Sequence, residues 1–281
     1  MRRRYSQPAV LAAVLLALST PGAATLHGTW LREVREELAK PANPEPGIMD
    51  ERALAALPIP VRKYFVKCRF AGRPSMRNAR ITWDEASMRL GKGKGWTNVR
   101  MEQFNAVEDP ARLVFLHARM GGFLPFNGRD KYQDGHGHML IRAMGLIKVA
   151  DTKSRHMDQS ALATFLAEIL WLPSAALQPY VRWDHIDGLT ARATITHGGN
   201  TASGVFRFDD AGDFLSFETG DRWQDGKEDA PIPWIIRASE PRDLGGFRLS
   251  TEYTATWREP GGDFEYFRGR LGMIEYNVEA P

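Results

Sequence analysis

The polar residues best suited to metal binding or catalysis lie in one block, Asp130 to Met139, which reads DKYQDGHGHM. His136 and His138 are two residues apart, so on a strand both imidazoles would project from one face and could share a zinc or other transition-metal ion. His117, on a neighbouring predicted strand, is a candidate third ligand. Two glycines around these histidines favour a turn or bulge, which removes the common orientation. We therefore predict exposed loop histidines and no metal site, with these three residues as the minor alternative.

A second group of candidates lies on a predicted helix from Gln159 to Leu172. One side of this helix carries leucine, isoleucine and phenylalanine, which suffices to dock it on a sheet. Helical spacing places Thr164, Glu168 and Trp171 together on a different side. A carboxylate beside a large aromatic ring can act as a general acid or base, or it can anchor the polar head of a ligand. The alternative interpretation is an exposed glutamate paired with a surface arginine.

These two segments predict one site, formed where the block approaches the helix. The predicted ligand-binding residues are Asp130, Tyr132, Glu168, Trp171, Phe115 and Met120. Glu168 and Asp130 are the candidates for acid or base catalysis. The sequence contains no Gly-x-Ser-x-Gly elbow and no Gly-x-x-x-x-Gly-Lys-Ser/Thr phosphate loop, so it offers little for nucleophilic catalysis. We predict no cofactor.

Most of the chain after Ala79 has the hydrophobic period of strands with one apolar face and one wet face. The alternation is cleanest from Phe247 to Arg258. Strands are predicted at residues 81–90, 99–107, 113–120, 139–149, 191–197, 203–208, 214–223, 247–258 and 264–276. Segments rich in glycine, proline, asparagine and aspartate separate several of them, which indicates antiparallel meanders.

The helical pattern is concentrated at the N-terminus. Helices are predicted from Trp30 to Leu38, after the N-cap residue Asp50, and from Val61 to Phe70. Because about nine or ten strands make a twisted sheet too large to stay flat, we predict an α+β fold. In this fold a large, strongly curved antiparallel sheet, a half-open barrel, packs against the N-terminal helices and the inserted helix. Its cavity would be lined by apolar faces rich in Trp, Phe and Met.

Residues 1–24 have the order of a secretory signal peptide: three arginines, an apolar run, a Pro-Gly pair and small residues before a cleavage site after Ala24. We therefore predict a periplasmic or secreted protein. The alternative is an uncleaved N-terminal anchor, and membrane contact is then expected before or without cleavage. Residues 25–46 are assigned to the first helix and a Pro-rich connector. Residues 47–281 are assigned to a single curved-sheet domain.

The net positive charge of the chain comes from the predicted signal peptide. The formal net charge is +3, and residues 1–24 hold three basic side chains and no acidic ones, so the mature chain is neutral. A basic nucleic-acid-binding face therefore has no support, and we predict no nucleic-acid partner. The single cysteine, Cys68, lies on the buried side of the third predicted helix, as expected of a structural thiol.

Three motifs resemble those of an uncharacterised bacterial family of unknown function. They are LPxPVRxY from Leu57, DxYxxGxGxM from Asp130 and ExxWxP from Glu168, and the resemblance extends over residues 57–276. The family has no assigned activity to carry over. The resemblance implies an architecture similar to the curved sheets of the periplasmic lipoprotein carriers LolA and LolB, which hold acyl chains in an open half-barrel. It leaves open the positions held here by His136 and His138, which further weakens the metal site.

Three functional hypotheses remain open. The leading one is an exported protein that holds a hydrophobic or amphipathic small molecule, such as a lipid, between the sheet and its helices. The second is a hydrolase or isomerase that uses Glu168 or Asp130 as acid or base, with or without a metal, and it requires Glu168 to be buried near another polar group. The third is an envelope scaffold, which requires a cavity filled by side chains.

Overall fold

The computed structural model describes residues 25–41, 47–224 and 230–281. The predicted signal peptide and residues 42–46 of the Pro-rich connector lie outside these ranges. The helices are α1 (Leu26–Leu38), α2 (Glu51–Ala55), α3 (Ile59–Lys67), α4 (Arg155–Glu168) and α5 (Pro173–Ala176). Asp50 caps α2 as predicted, since its Oδ1 accepts a hydrogen bond of 2.8 Å from the Ala53 amide. In the part of the chain that the structure describes, no helix has the length and apolarity needed to cross a membrane.

The strands form one antiparallel sheet of 13 members, which confirms the predicted large antiparallel sheet but exceeds its nine or ten strands. They are β1 (Asn78–Arg89), β2 (Trp96–Ala106), β3 (Ala111–Met120), β4 (Leu124–Gln133), β5 (His136–Ala143), β6 (Ile147–Thr152), β7 (Val181–His185), β8 (Thr190–His197), β9 (Asn200–Phe208), β10 (Phe214–Thr219), β11 (Trp234–Leu244), β12 (Phe247–Glu259) and β13 (Gly262–Tyr276). Their order is β6-β5-β4-β3-β2-β1-β13-β12-β11-β10-β9-β8-β7.

The sheet curls around α4, which packs against β5 and β4 on one side and against β9 and β8 on the other. Nine strand-to-strand steps separate β4 from β8, and a twist of roughly 20–25° per step accumulates to about half a turn. The β4–β5 turn consequently meets the β8–β9 turn. A Cβ on Gly135 would lie only 2.9 Å from the Gly198 Cα, so this approach requires glycine. The Asn200 amide donates a hydrogen bond of 2.8 Å to the Gly135 carbonyl and fixes the contact.

The two faces of the sheet have different partners. The concave face and α4 form the main hydrophobic core. On the convex face, α1 covers β2 to β5 through a separate apolar cluster that includes Trp30, Leu113 and Phe115. Glu33 of α1 accepts hydrogen bonds from Arg129, at 2.7 Å, and from Lys131. Side chains of β4 with odd numbers therefore face α1, whereas Asp130 and Tyr132 face the interior.

Candidate functional site

A cavity of about 400 Å³ lies between α4 and the concave face of the sheet. Its wall is mainly apolar, as is usual for small-molecule sites. The aromatic lining residues are Trp83, Trp171, Phe214, Trp223, Trp234, Tyr253, Trp257, Phe264, Tyr266 and Phe267. Thr164, Glu168 and Trp171 all line it, so the side of the helix singled out from the sequence faces the cavity.

The helix carboxylate Glu168 is the centre of a buried polar cluster in this wall. Its Oε1 accepts a hydrogen bond of 2.8 Å from Nε of Arg112. Its Oε2 accepts hydrogen bonds of 2.7 Å from Nε2 of Gln103 and 2.9 Å from Nδ2 of Asn105. Nη1 of Arg112 donates a further bond of 2.7 Å to Oδ2 of Asp130. One guanidinium thus bridges the two carboxylates that the sequence identified.

The electrostatics of the cluster favour a charged Arg112. Burial alone disfavours the guanidinium, but the charges and hydrogen bonds of Glu168 and Asp130 outweigh it and raise the pKa of Arg112 above its usual value. Two carboxylates and one guanidinium leave a formal charge of −1 in this part of the wall. The cluster therefore suits a ligand group that donates hydrogen bonds or carries positive charge.

An unsatisfied acceptor supports the same polarity. Gln103 is only 1% exposed and lines the cavity, yet its Oε1 has no hydrogen-bond partner among the described residues. A buried carbonyl oxygen without a partner costs free energy, so such atoms in native sites often meet a ligand or water. Gln103 thus leaves a buried, unpartnered acceptor next to the carboxylates.

Of the two predicted aromatic residues, only Trp171 lines the cavity together with the two carboxylates. Tyr132 is buried but is not among the lining residues, and its hydroxyl lies 2.8 Å from Nδ1 of His197, on β8. Trp171 does line the cavity, and its Nε1 donates a hydrogen bond of 2.7 Å to the Tyr253 hydroxyl. The structure therefore brings Asp130, Glu168 and Trp171 to one cavity and directs Tyr132 to the contact between the two ends of the sheet.

Two predicted ligand contacts lie away from the cavity. Phe115 packs against Trp30 of α1, with ring centroids 6.4 Å apart, on the convex face. Its strand neighbours Val114 and Leu116 line the cavity instead, because successive side chains point to opposite faces. Met120 is 41% exposed at the end of β3. Phe115 thus lies on the face of β3 opposite the cavity and Met120 at the exposed end of the strand, and neither lines the cavity; their roles as ligand-binding residues remain predictions.

The three histidines have separate partners. Nδ1 of His117 lies 2.7 Å from Oδ1 of Asn127, and Nε2 of His138 lies 2.8 Å from Oδ1 of Asp151. His136 is exposed, and its Nδ1 is 3.5 Å from Oδ2 of Asp158. Within the described ranges, no three His, Cys, Asp or Glu side chains are grouped to hold a metal ion. His138 is part of strand β5 and is mostly buried, so its prediction as an exposed loop histidine was wrong.

Sequence reasoning missed Arg112, Gln103 and Asn105. A signal was present, because each occupies a concave-facing position in a strand whose other concave residues are apolar, such as Met101 on β2 and Val114 on β3. Polar side chains at the apolar positions of a strand need a buried partner. The partner, Glu168, lies more than fifty residues away, so the sequence gives no local sign of the pairing.

Solved structures and a family model show what this chain is similar to. A LolA superfamily protein from Nitrosomonas europaea is similar in structure, with a TM-score of 0.42 and 6% sequence identity over 83% of this chain and 95% of that chain. A beta-barrel-like protein of domain of unknown function DUF1849 from Brucella abortus gives a TM-score of 0.26 and 12% identity over 73% of this chain and 99% of that chain. No curated protein matches the sequence significantly. Residues 47–269 match the model of a family of unknown function, DUF6544, and the chain belongs to that family.

Proposed function

We propose that this protein binds an amphipathic small molecule, such as a lipid, with its apolar part in the aromatic cavity and a hydrogen-bond-donating head at Gln103 and Asp130. The observation that carries the proposal is an apolar cavity whose wall contains a buried, unpartnered acceptor beside two carboxylates. Apolar surface supplies affinity, while a few fixed polar groups orient the ligand. From residues 1–24 we further propose that binding occurs in the periplasm or outside the cell.

Filling the cavity tests the proposal most directly. Thr164 is buried on α4 and lines the cavity, so Thr164→Trp should place an indole in the ligand volume and weaken binding of a fluorescent long-chain alkylamine analogue at least about tenfold. Arg155→Trp, at an exposed position of the same helix, is the matched control and should bind normally. Native mass spectrometry of the purified protein should show a co-purified small molecule that Thr164→Trp lacks. An empty wild-type protein that binds no analogue would refute the proposal.

The polarity of the head site has its own test. Decylammonium and decanoate have the same chain length and opposite charge, so calorimetric titration separates the two head preferences. Asp130→Asn removes one formal negative charge and should weaken decylammonium binding several-fold, whereas decanoate binding should stay the same or become stronger. Thermal unfolding of the variant checks that the bond to Arg112 is kept. Equal effects of Asp130→Asn on the binding of both amphiphiles would show that Asp130 does not discriminate between head-group charges.

One observation favours a second candidate, a hydrolase or isomerase. Glu168 and Asp130 both line the cavity and Glu168 is buried among polar groups, as that hypothesis requires. Glu168 already accepts three hydrogen bonds, so Asp130, for which only the bond to Arg112 is defined, is the better base. Turnover of a bound ester or ketone that Asp130→Asn abolishes without loss of binding would support this candidate. The open cavity disfavours a scaffold with a filled core.

A further inference from the structure

Exposed apolar side chains are concentrated in three hairpin turns and the strand residues beside them. Residues 90–95, 119–124 and 142–149 contain the turns between β1 and β2, β3 and β4, and β5 and β6, together with adjoining strand residues, and we name these three segments the hairpin rim. Of the fourteen large hydrophobic residues that the described chain exposes, seven lie here: Leu90, Met120, Phe123, Met144, Leu146, Ile147 and Val149. Phe123 is 77% exposed and Leu146 is 60% exposed. Scattered single hydrophobic residues are normal on a surface, but such a concentration marks an interaction site.

Topology places the three turns at the same end of the strands. In an antiparallel meander every second turn lies at the same end, and β1 to β6 are consecutive neighbours. Neighbouring turns are then two strands apart, or about 10 Å. This end of the strands also adjoins the cavity. Gly91 of the first rim segment lines the cavity, as do Leu116 and Ile141, which precede the second and third segments. The hairpin rim therefore lies next to one end of the cavity.

The rim carries charge of one sign. Its three segments contain the basic residues Lys92, Lys94, Arg119, Arg142 and Lys148 and no aspartate or glutamate. Lys92 and Lys148 pair with Glu259 and Asp151, outside the rim. Lys94 and Arg119 are exposed, and no ion pair to either is formed within the described ranges. Apolar tips flanked by basic side chains match the interface of a bilayer with anionic headgroups.

We propose that the hairpin rim docks on an anionic lipid bilayer, with Phe123 and Leu146 inserted among the headgroups. A second copy of the chain fits less well, because face-to-face rims would bring like charges together. This role goes beyond ligand binding, since docking needs no molecule in the cavity. Docking would bring this end of the cavity close to the surface of the bilayer.

Vesicle binding by the full chain tests the insertion of the tips. We expect Phe123→Ser/Leu146→Ser to lower co-sedimentation with 3:1 phosphatidylcholine–phosphatidylglycerol vesicles at least about fivefold, whereas Val66→Ser/Leu215→Ser, at exposed positions outside the rim, should bind like the wild type. Any contribution of residues 1–24 is common to all variants. Lys94→Ser/Arg119→Ser should weaken binding to the anionic vesicles but not the weak binding to pure phosphatidylcholine, and Arg52→Ser/Lys63→Ser is its control.

A fluorescent label locates the contact. Cys68 is buried, so an environment-sensitive dye on Phe123→Cys reports from the rim alone. Its emission should shift to the blue with anionic vesicles, while the same dye on Leu215→Cys should not shift. Equal vesicle binding by the rim variant and wild type, or an unshifted Phe123→Cys label, would overturn the proposal, as would a rim-dependent dimer without vesicles. Thr164→Trp should keep vesicle binding, which separates this result from failure of ligand binding.

Discussion

Replacement of Arg112 by methionine should lower the free energy of unfolding by about 3–5 kcal/mol, as measured by urea denaturation. The guanidinium is buried and is hydrogen-bonded at 2.8 Å to Glu168 and at 2.7 Å to Asp130. Without it, two carboxylates remain in a largely apolar wall with no compensating charge. Removing one member of a buried ionic cluster costs more than the cluster itself contributes, because the remaining charges stay desolvated.

The half-exposed pair of Arg80 and Glu275 provides the control. Nη2 of Arg80 lies 2.8 Å from Oε2 of Glu275, but both side chains are about one-third exposed. Arg80→Met should therefore cost about 0–1 kcal/mol. Adding Glu168→Gln to Arg112→Met should recover part of the loss, because it removes one uncompensated charge. A small loss for Arg112→Met, equal to that for Arg80→Met, would mean that water in the cavity solvates the carboxylates.

The same cluster explains how α4 is held above the cavity. Glu168 is the last residue of α4, and its partners come from β2 and β3. The helix is thus tied to the sheet at its C-terminal end by directional bonds. Apolar contacts elsewhere along α4 can slide, whereas hydrogen bonds fix register and rotation. The polar cluster therefore serves both the shape of the cavity and its polarity.

The sequence predicted the curved sheet and the inserted helix, because both depend on local periodicity. It also placed Asp130 near Glu168, although no local pattern shows that approach. It missed β4 and β11, whose strand patterns are interrupted by Pro125 and Pro241. It also missed β7, a strand of only five residues at one end of the sheet order. It also joined β5 and β6 into one strand, because the turn between them is apolar. A pattern based on hydrophobicity does not distinguish exposed hydrophobic residues at hairpin turns from core residues.

The pairing across the site could not be predicted, for a physical reason. Arg112 bridges Asp130 and Glu168 across residues that are distant in sequence, and many arginines in the chain could have done so. Tyr132 was predicted in the site because it belongs to the same polar block as Asp130. Two residues of strand advance it by about 6.6 Å, which is enough to move its hydroxyl from the cavity to His197.

Glycines of the DxYxxGxGxM block have a structural role that the sequence did not reveal. Substitution of Gly137 is therefore expected to cause the second large loss of stability. Gly137 is on β5, directly beneath the first turn of α4, and its amide donates a hydrogen bond of 2.7 Å to Oδ1 of Asp158. A Cβ at this position would overlap the Met157 carbonyl oxygen and lie 2.7 Å from its carbonyl carbon. Both are backbone atoms, so no side-chain rotation relieves the overlap.

Gly137→Ala should therefore push the N-terminal end of α4 away from the sheet and lower the free energy of unfolding by about 1–3 kcal/mol. Gly188→Ala is the matched control, since a Cβ there meets nothing within 4 Å, and it should be neutral or stabilising by up to about 1 kcal/mol. Thermal and urea unfolding of both variants decide the point, and equal stabilities would show that α4 can shift without cost. Because Met157 and Ala161 line the cavity, the same displacement should weaken binding of the fluorescent alkylamine analogue. Loss of stability with unchanged binding would instead place the ligand nearer the Glu168 end of the helix, where the polar cluster still holds it.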